Sequence, residues 1–113
     1  MNNEWVDNVG NADIIMIRDF GNKTAADLYH KGHCKGLPRI YWKRAIHILE
    51  VMEAVDSLEE LKTKAFPPHI RLHPLFGSRK GEWAVDVHKL SGWRITFRFE
   101  KNEFTGVKVE DYH

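Results

Sequence analysis

Between Trp93 and Phe99 the chain alternates strictly between hydrophobic and polar side chains. The hydrophobic positions are Trp93, Ile95, Phe97 and Phe99. A period of two, in a stretch rich in aromatic and β-branched residues, predicts a strand with one face in a core. The other face carries Arg94 and Arg98, and a guanidinium can bind a phosphate through two parallel hydrogen bonds. Strand arginines are also commonly solvated or paired with carboxylates, so this strand alone leaves their role open.

Earlier in the chain the hydrophobic residues recur at helical spacing. Asn22 or Thr24 can cap a first helix that stops at Gly32, and a longer helix with an apolar stripe runs over residues 38–55. The apolar run over residues 14–17 predicts a short buried strand, and period-two alternation predicts strands over residues 70–73, 83–87, 93–99 and 107–109. We interpret residues 1–12 as a tail and residues 13–113 as a single domain. Helices followed by consecutive strands predict an α+β fold, with two N-terminal helices packed on one face of a mainly antiparallel sheet of four or five strands.

The face of this sheet that points away from the helices is predicted to be polar and basic. By parity it carries Arg71 and His73 together with Arg94 and Arg98. We expect this face to be open to a ligand.

The net charge of +1 hides a local basic segment. Residues 62–80 contain five lysines and arginines, two histidines and no acidic residue. Such a segment in a near-neutral protein indicates a site for an anion, although chance clustering in a solvated loop gives the same composition.

Cysteine usage and hydropathy bear on the compartment. A single cysteine, Cys34, excludes an internal disulfide and suits a reducing cytosol. No apolar run approaches the ~18 residues of a membrane span, and the first residues lack the pattern of a signal peptide. We therefore predict a cytoplasmic protein with no membrane partner.

His30, His33 and Cys34 lie close together but do not predict a metal site. Structural zinc needs about four ligands, and no second ligand pair stands at matching spacing. Gly32 interrupts the helix that would align the three side chains. We predict no metal and no other cofactor, and no base accompanies Cys34 to make it a nucleophile.

His73 and His113 are candidates for acid–base chemistry. Histidine has a reference pKa near 6.5, so one imidazole can accept a proton while another donates one. RNA carries its own nucleophile, the 2′-hydroxyl, so its cleavage needs a base, an acid and cations around the phosphate. A histidine at the end of a chain is also commonly a frayed residue.

Several motifs occur in a fixed order. They are Met16-Ile17-Arg18-Asp19-Phe20, then Leu72-His73-Pro74-Leu75 followed by Gly77, then Gly81-Glu82-Trp83, Trp93-Arg94-Ile95-Thr96-Phe97 and Glu110-Asp111-Tyr112-His113. In this order the chain resembles the HigB toxins of bacterial type II HigB–HigA toxin–antitoxin systems, within the RelE/ParE superfamily. The resemblance covers nearly all of residues 16–113, and any single motif would be weak.

The resemblance implies a RelE-like, microbial-RNase-like fold and a ribosome-dependent mRNA endonuclease that inhibits translation. It implies neutralisation by a HigA-type helix-turn-helix antitoxin, with operator DNA bound only through the antitoxin complex. Residue by residue it assigns proton transfer to His73 and His113. Tyr112 would stack on a base or support proton transfer, and Asp111 would orient a histidine.

For the cations, the resemblance assigns Arg94 to the charge that develops on the phosphate and Arg79 to backbone phosphates. The family commonly carries a Lys where this chain has Phe76, and Arg79 or Lys80 would have to supply the missing cation. Related proteins often begin at the position of Met16, so residues 1–15 are either a real extension or the product of an upstream start. Two alternatives remain open: a ParE-like inhibitor of DNA gyrase, and a catalytically inactive partner that binds and regulates through the antitoxin.

Overall fold

The computed structural model of the protein describes residues 16–55, 57–63, 72–88 and 90–111. Its elements in chain order are β1 (Met16–Ile17), α1 (Lys23–Lys31), a 3-10 turn (Arg39–Tyr41), α2 (Trp42–Ala54), α3 (Leu58–Thr63), β2 (Leu72–Pro74), a second 3-10 turn (Gly77–Arg79), β3 (Trp83–Asp86), β4 (Trp93–Glu100) and β5 (Glu103–Asp111). The predicted tail, Ile14, Ile15, Arg71, Tyr112 and His113 lie outside the described residues, so the boundary between tail and domain stays a prediction.

The strands form one sheet in the order β1-β5-β4-β3-β2. The four strands from β2 to β5 are antiparallel, and β1 runs parallel to β5. The prediction of an α+β fold with a mainly antiparallel sheet is therefore confirmed. In the described segments, no helix has the length and apolar character needed to cross a membrane.

A bulge in β5 keeps the hydrophobic residues of that strand on one side. Phe104 and Val107 are both fully buried, yet residues three apart in a regular strand face opposite ways. The register resolves this conflict, since Thr96 pairs with Lys108 whereas Arg98 pairs with Thr105. Gly106 supplies the positive φ of 59° that the extra residue requires.

The first helix is joined to the sheet by the residue that caps it. Asn22, rather than Thr24, is the N-cap, and its Oδ1 accepts a hydrogen bond from the Ala25 amide at 3.0 Å. The same side chain pairs with the backbone of Val109: Nδ2 donates to the carbonyl at 2.9 Å, and the amide donates to Oδ1 at 3.3 Å. At the other end, Gly32 stops α1 in the left-handed conformation, as predicted.

The core lies between the helices and one face of the sheet. Because Val85, Ile95 and Val109 are directly opposite one another in the ladder, they point to the same side. They are buried together with the apolar stripe of α2, which consists of Ala45, Ile48, Leu49 and Met52. The predicted core face of β4 is confirmed, since Ile95 and Phe97 are fully buried.

Candidate active site

Two rows of side chains cross the sheet face that points away from this core. The first row joins His73 of β2 to Ala84, Thr96 and Lys108. The second joins Asp86 of β3 to Arg94 and Glu110. Since residues opposite one another in an antiparallel ladder share a face, His73 and Arg94 lie on the same side of the sheet.

The separation of His73 and Arg94 follows from the strand spacing. Two steps of about 4.8 Å separate β2 from β4, and Arg94 is two residues along β4 from Thr96 in the row of His73, so the two backbones lie roughly 12 Å apart. Both residues are half-buried. An imidazole and a guanidinium therefore stand on one face of the sheet, on either side of β3.

The centre of this face is not open to solvent, so our expectation of an open face was wrong there. Ala84 and Thr96 are fully buried, and Asp86 is 4% exposed. Part of the cover is the segment of residues 75–82, which we call the covering loop, because its Arg79 contacts Thr96. It is closed at its base by the Leu75 amide, which donates to the Glu82 carbonyl at 2.8 Å.

Arg79 fastens the covering loop to the sheet. Its Nη2 lies 2.7 Å from Oε1 of Glu82 and 2.6 Å from Oε2 of Glu110. Nε donates to Glu82 at 3.2 Å, and Nη1 donates to Glu110 at 3.1 Å. Thr96 completes the cluster, since its hydroxyl donates to Glu110 and accepts a bond from Arg79 at 3.4 Å. We call these four residues the Arg79 clamp.

Both carboxylates of the Arg79 clamp are stabilised in their ionised form. The hydrogen bond from Arg79 lowers the pKa of Glu82. Burial acts to raise the pKa of Glu110, but the hydrogen bonds from Arg79 and Thr96 outweigh burial and lower it. In return, the two carboxylates raise the pKa of Arg79 above its already high value. The charge of Arg79 is thus compensated, and a phosphate that bound there would compete with two carboxylates.

The outer surface of the covering loop carries exposed groups. Lys80 follows the second 3-10 turn and is exposed, and the side chain of Phe76 is 80% exposed. The guanidinium of Arg98, a β4 residue, contacts the covering loop: its Nη1 lies 2.7 Å from the position that a Cβ on Gly81 would occupy. No role was predicted for Arg98, but the fold brings it to the same loop as Lys80.

Asp111 is separated from His73 and Arg94 by the pleat of the sheet. It pairs with Trp93, whose neighbour Arg94 points to the other side. Asp111 is exposed at the end of β5. The register therefore does not bring its carboxylate onto the face of His73, and its role stays a prediction, as do those of Tyr112 and His113 outside the described residues.

The residues weighed for a metal site lie on the helical side of the molecule. His30 packs edge-on against Phe20 with ring centroids 5.5 Å apart, and Cys34 is buried in the core. Within the described part of the chain, no group of three His, Cys, Asp or Glu side chains is arranged to hold a metal ion.

The sequence reasoning missed the acidic side of the candidate site. Glu82 stands three residues after Arg79, a spacing at which a turn can form an ion pair, so this partner was detectable. Glu110 is 31 residues from Arg79 in sequence, and only the strand register brings them together. For Asp86 the sequence indicated only that it alternates with the hydrophobic residues of its strand, as Ala84 and His88 do.

Comparison with known proteins gives one clear match. The chain is 33% identical over 98 residues to the Endoribonuclease HigB of Proteus vulgaris. The matched region covers 87% of this chain and 100% of that protein. No family model matches the chain.

Proposed function

Because the chain belongs to the HigB family of endoribonucleases, we propose that it cleaves RNA as the toxin of a type II toxin–antitoxin system. The family relationship supports both the nuclease activity and a HigA-type antitoxin as partner. The observation that carries the proposal is that His73 and Arg94 share one face of the sheet, with β3 between their strands.

The proposed reaction uses the nucleophile within RNA. A base on the enzyme takes the proton of a 2′-hydroxyl, and that oxygen attacks the adjacent phosphorus. The bond from phosphorus to the 5′-oxygen breaks, and an acid gives the leaving oxygen a proton. The products are a 2′,3′-cyclic phosphate and a 5′-hydroxyl. One proton moves from the 2′-hydroxyl to the base and one moves from the acid to the 5′-oxygen, so no further reactant is required.

We assign the two proton transfers to His73 and His113. Each transfer of this kind contributes typically ~10²–10⁴-fold to the rate. Arg94 would stabilise the charge that develops on the phosphate oxygens, an effect that is typically ~10²–10³-fold for one well-aimed donor. Tyr112 would stack on a base or assist proton transfer, and Asp111 would orient a histidine.

The remaining cations of the site would hold the RNA backbone. Lys80 and Arg98 are exposed beside the covering loop, and Arg79 would contribute only where a phosphate displaces one of its carboxylates. We further propose that the substrate is mRNA on the ribosome, so that cleavage inhibits translation. Operator DNA would be bound only through the complex with the helix-turn-helix antitoxin.

The test is induction of the wild type and of His73→Ala in bacteria, with growth and primer-extension mapping of mRNA 5′ ends. The matched control is His47→Ala, because His47 is an exposed histidine on α2. We expect new 5′ ends and growth arrest with the wild type and the control but not with His73→Ala. New ends that persist unchanged in His73→Ala would refute the assigned chemistry. DNA breaks without RNA cleavage would instead indicate a gyrase inhibitor.

A further inference from the structure

Phe76 is an exposed aromatic residue on the active-site side of the sheet. Its side chain is 80% exposed, which leaves most of a large apolar surface in water. Exposure alone assigns no role, since Ile40 is 80% and Leu90 is 85% exposed. What distinguishes Phe76 is its distance from His73: three peptide units span at most about 11 Å.

The backbone under Phe76 is held in one conformation. The Phe76 carbonyl accepts a hydrogen bond from the Arg79 amide at 3.3 Å, and the Gly77 carbonyl accepts one from the Lys80 amide at 3.2 Å. Leu75, the preceding residue, is buried and anchors one side of the loop. The Arg79 clamp fixes the other side. Phe76 is thus presented to solvent from a rigid support, so that binding through its ring costs little conformational entropy.

Two cations belong to the same loop as Phe76 or contact it. Lys80 ends the 3-10 turn that begins after Phe76, and the guanidinium of Arg98 lies against Gly81 at the end of the same loop. An exposed aromatic ring and cations on one loop are a combination that binds single-stranded nucleic acid, because bases stack on the ring while phosphates pair with the cations. Binding of a protein partner would not require both an aromatic ring and cations on this loop.

We infer that Phe76 stacks on an unpaired base of the RNA next to the scissile phosphate and thereby selects which nucleotides are cleaved. The inference rests on the proposed RNA-cleaving function and adds a specificity-determining residue to it. Phe76 itself takes no part in proton transfer. Stacking is stronger for larger rings, so a purine should be held better than a pyrimidine at this position.

The first experiment measures binding separately from cleavage. Short single-stranded RNAs with a fluorescent end are titrated with the His73→Ala protein, with and without a second change at position 76, and anisotropy is recorded. Phe76→Ala should weaken binding roughly 5- to 150-fold, the range typical of one base stacked on an aromatic ring. Phe76→Trp should bind at least as well as Phe. The matched control is Ile40→Ala, which truncates an equally exposed side chain on the helical layer and should change nothing.

An abasic scan of the RNA identifies the stacked nucleotide. At one position, removing the base should weaken binding by the protein with Phe76 but not by the protein with Phe76→Ala. Phe76→Lys should restore affinity only at low salt, since a lysine–phosphate contact releases counterions whereas stacking does not. A purely structural role for Phe76 would produce neither the position-specific loss nor the change in salt dependence.

The outcomes separate this inference from the proposed function. Phe76→Ala binding within twofold of Phe76, or a loss that is equal at every abasic position, would overturn the inference whatever the wild type cleaves. A position-specific coupling in binding, with no RNA cleaved by the wild type, would sustain the stacking contact and refute the proposed function. The proteins with Phe76 and with Phe76→Ala should give the same circular dichroism spectrum and melting temperature, because Phe76 lies outside the core.

Discussion

The Arg79 clamp should be worth several times more to stability than an exposed ion pair of the same chain. Glu110→Ala removes two hydrogen bonds from Arg79 and one from Thr96. It also leaves the buried Thr96 hydroxyl with only a 3.4 Å contact to Arg79. Hydrogen bonds to charged groups contribute about 1.5–3 kcal/mol each, but the carboxylate of Glu110 is 27% exposed and shares Arg79 with Glu82.

After allowance for that exposure, we expect Glu110→Ala to lower the free energy of unfolding by about 2–3 kcal/mol. For a domain of this size that corresponds to a fall of roughly 10 °C in melting temperature. The pairwise part is measured by a double-mutant cycle with Arg79→Ala, using urea denaturation at neutral pH. We expect a coupling free energy of about 1–2 kcal/mol.

The matched control is a second cycle on Arg18 and Glu103, whose Nη1 and Oε1 atoms are 3.1 Å apart. The side chain of Arg18 is 64% exposed, so this pair should couple by no more than ~0.5 kcal/mol. A coupling between Arg79 and Glu110 no larger than that of the control pair would refute the view that the clamp holds the covering loop on the sheet.

Three further predictions concern the scaffold. Because the pKa values of Glu82 and Glu110 in the folded protein lie below the ordinary value of a glutamate, their contribution to stability should be complete above that ordinary value and should fall as the pH drops through the folded pKa values. Urea denaturation between pH 7 and pH 3 should therefore show a smaller loss of stability for Glu110→Gln than for the wild type, and equal losses would contradict the assignment. Asn22→Ala should cost about 2 kcal/mol by the same assay, since it removes the cap of α1 and the bonds to Val109, whereas Thr24→Ala should cost less than half of that. Gly106→Ala should cost about 1 kcal/mol because φ is +59° there, and a neutral result would show that the bulge in β5 tolerates a side chain.

The parts of the fold that local patterns determine could be predicted from the sequence. The alternation in Trp93–Phe99 predicted β4, because a strand with one face in the core repeats every two residues. Asn22 and Gly32 marked the ends of α1 through the backbone groups that helix termini leave unsatisfied. Parity alone put His73 and Arg94 on one face, before any register was known.

What the sequence did not reveal depends on contacts between distant residues. Thr96 looked like a solvent-facing position in β4, but the covering loop buries it. Arg79 looked like a cation for phosphate, but its charge is compensated by Glu110, which is brought near by the pairing of β4 with β5. Asp111 belonged to the same motif as its neighbours, yet the pleat turns it away from His73. Motif order identified the family, whereas the accessibility of each candidate residue required the tertiary fold.

The central claim is that the RNA supplies the nucleophile and that His73 transfers a proton. The most direct measurement uses ribosomes programmed with a short mRNA that is cut at one site, compared with the same mRNA carrying a 2′-deoxyribose 5′ of that site. We predict that the unmodified mRNA yields a 2′,3′-cyclic phosphate and a 5′-hydroxyl, that the deoxy substitution abolishes this cut, and that His73→Ala slows it at least ~10²-fold. Cleavage of the deoxy-substituted mRNA at an undiminished rate would contradict the account.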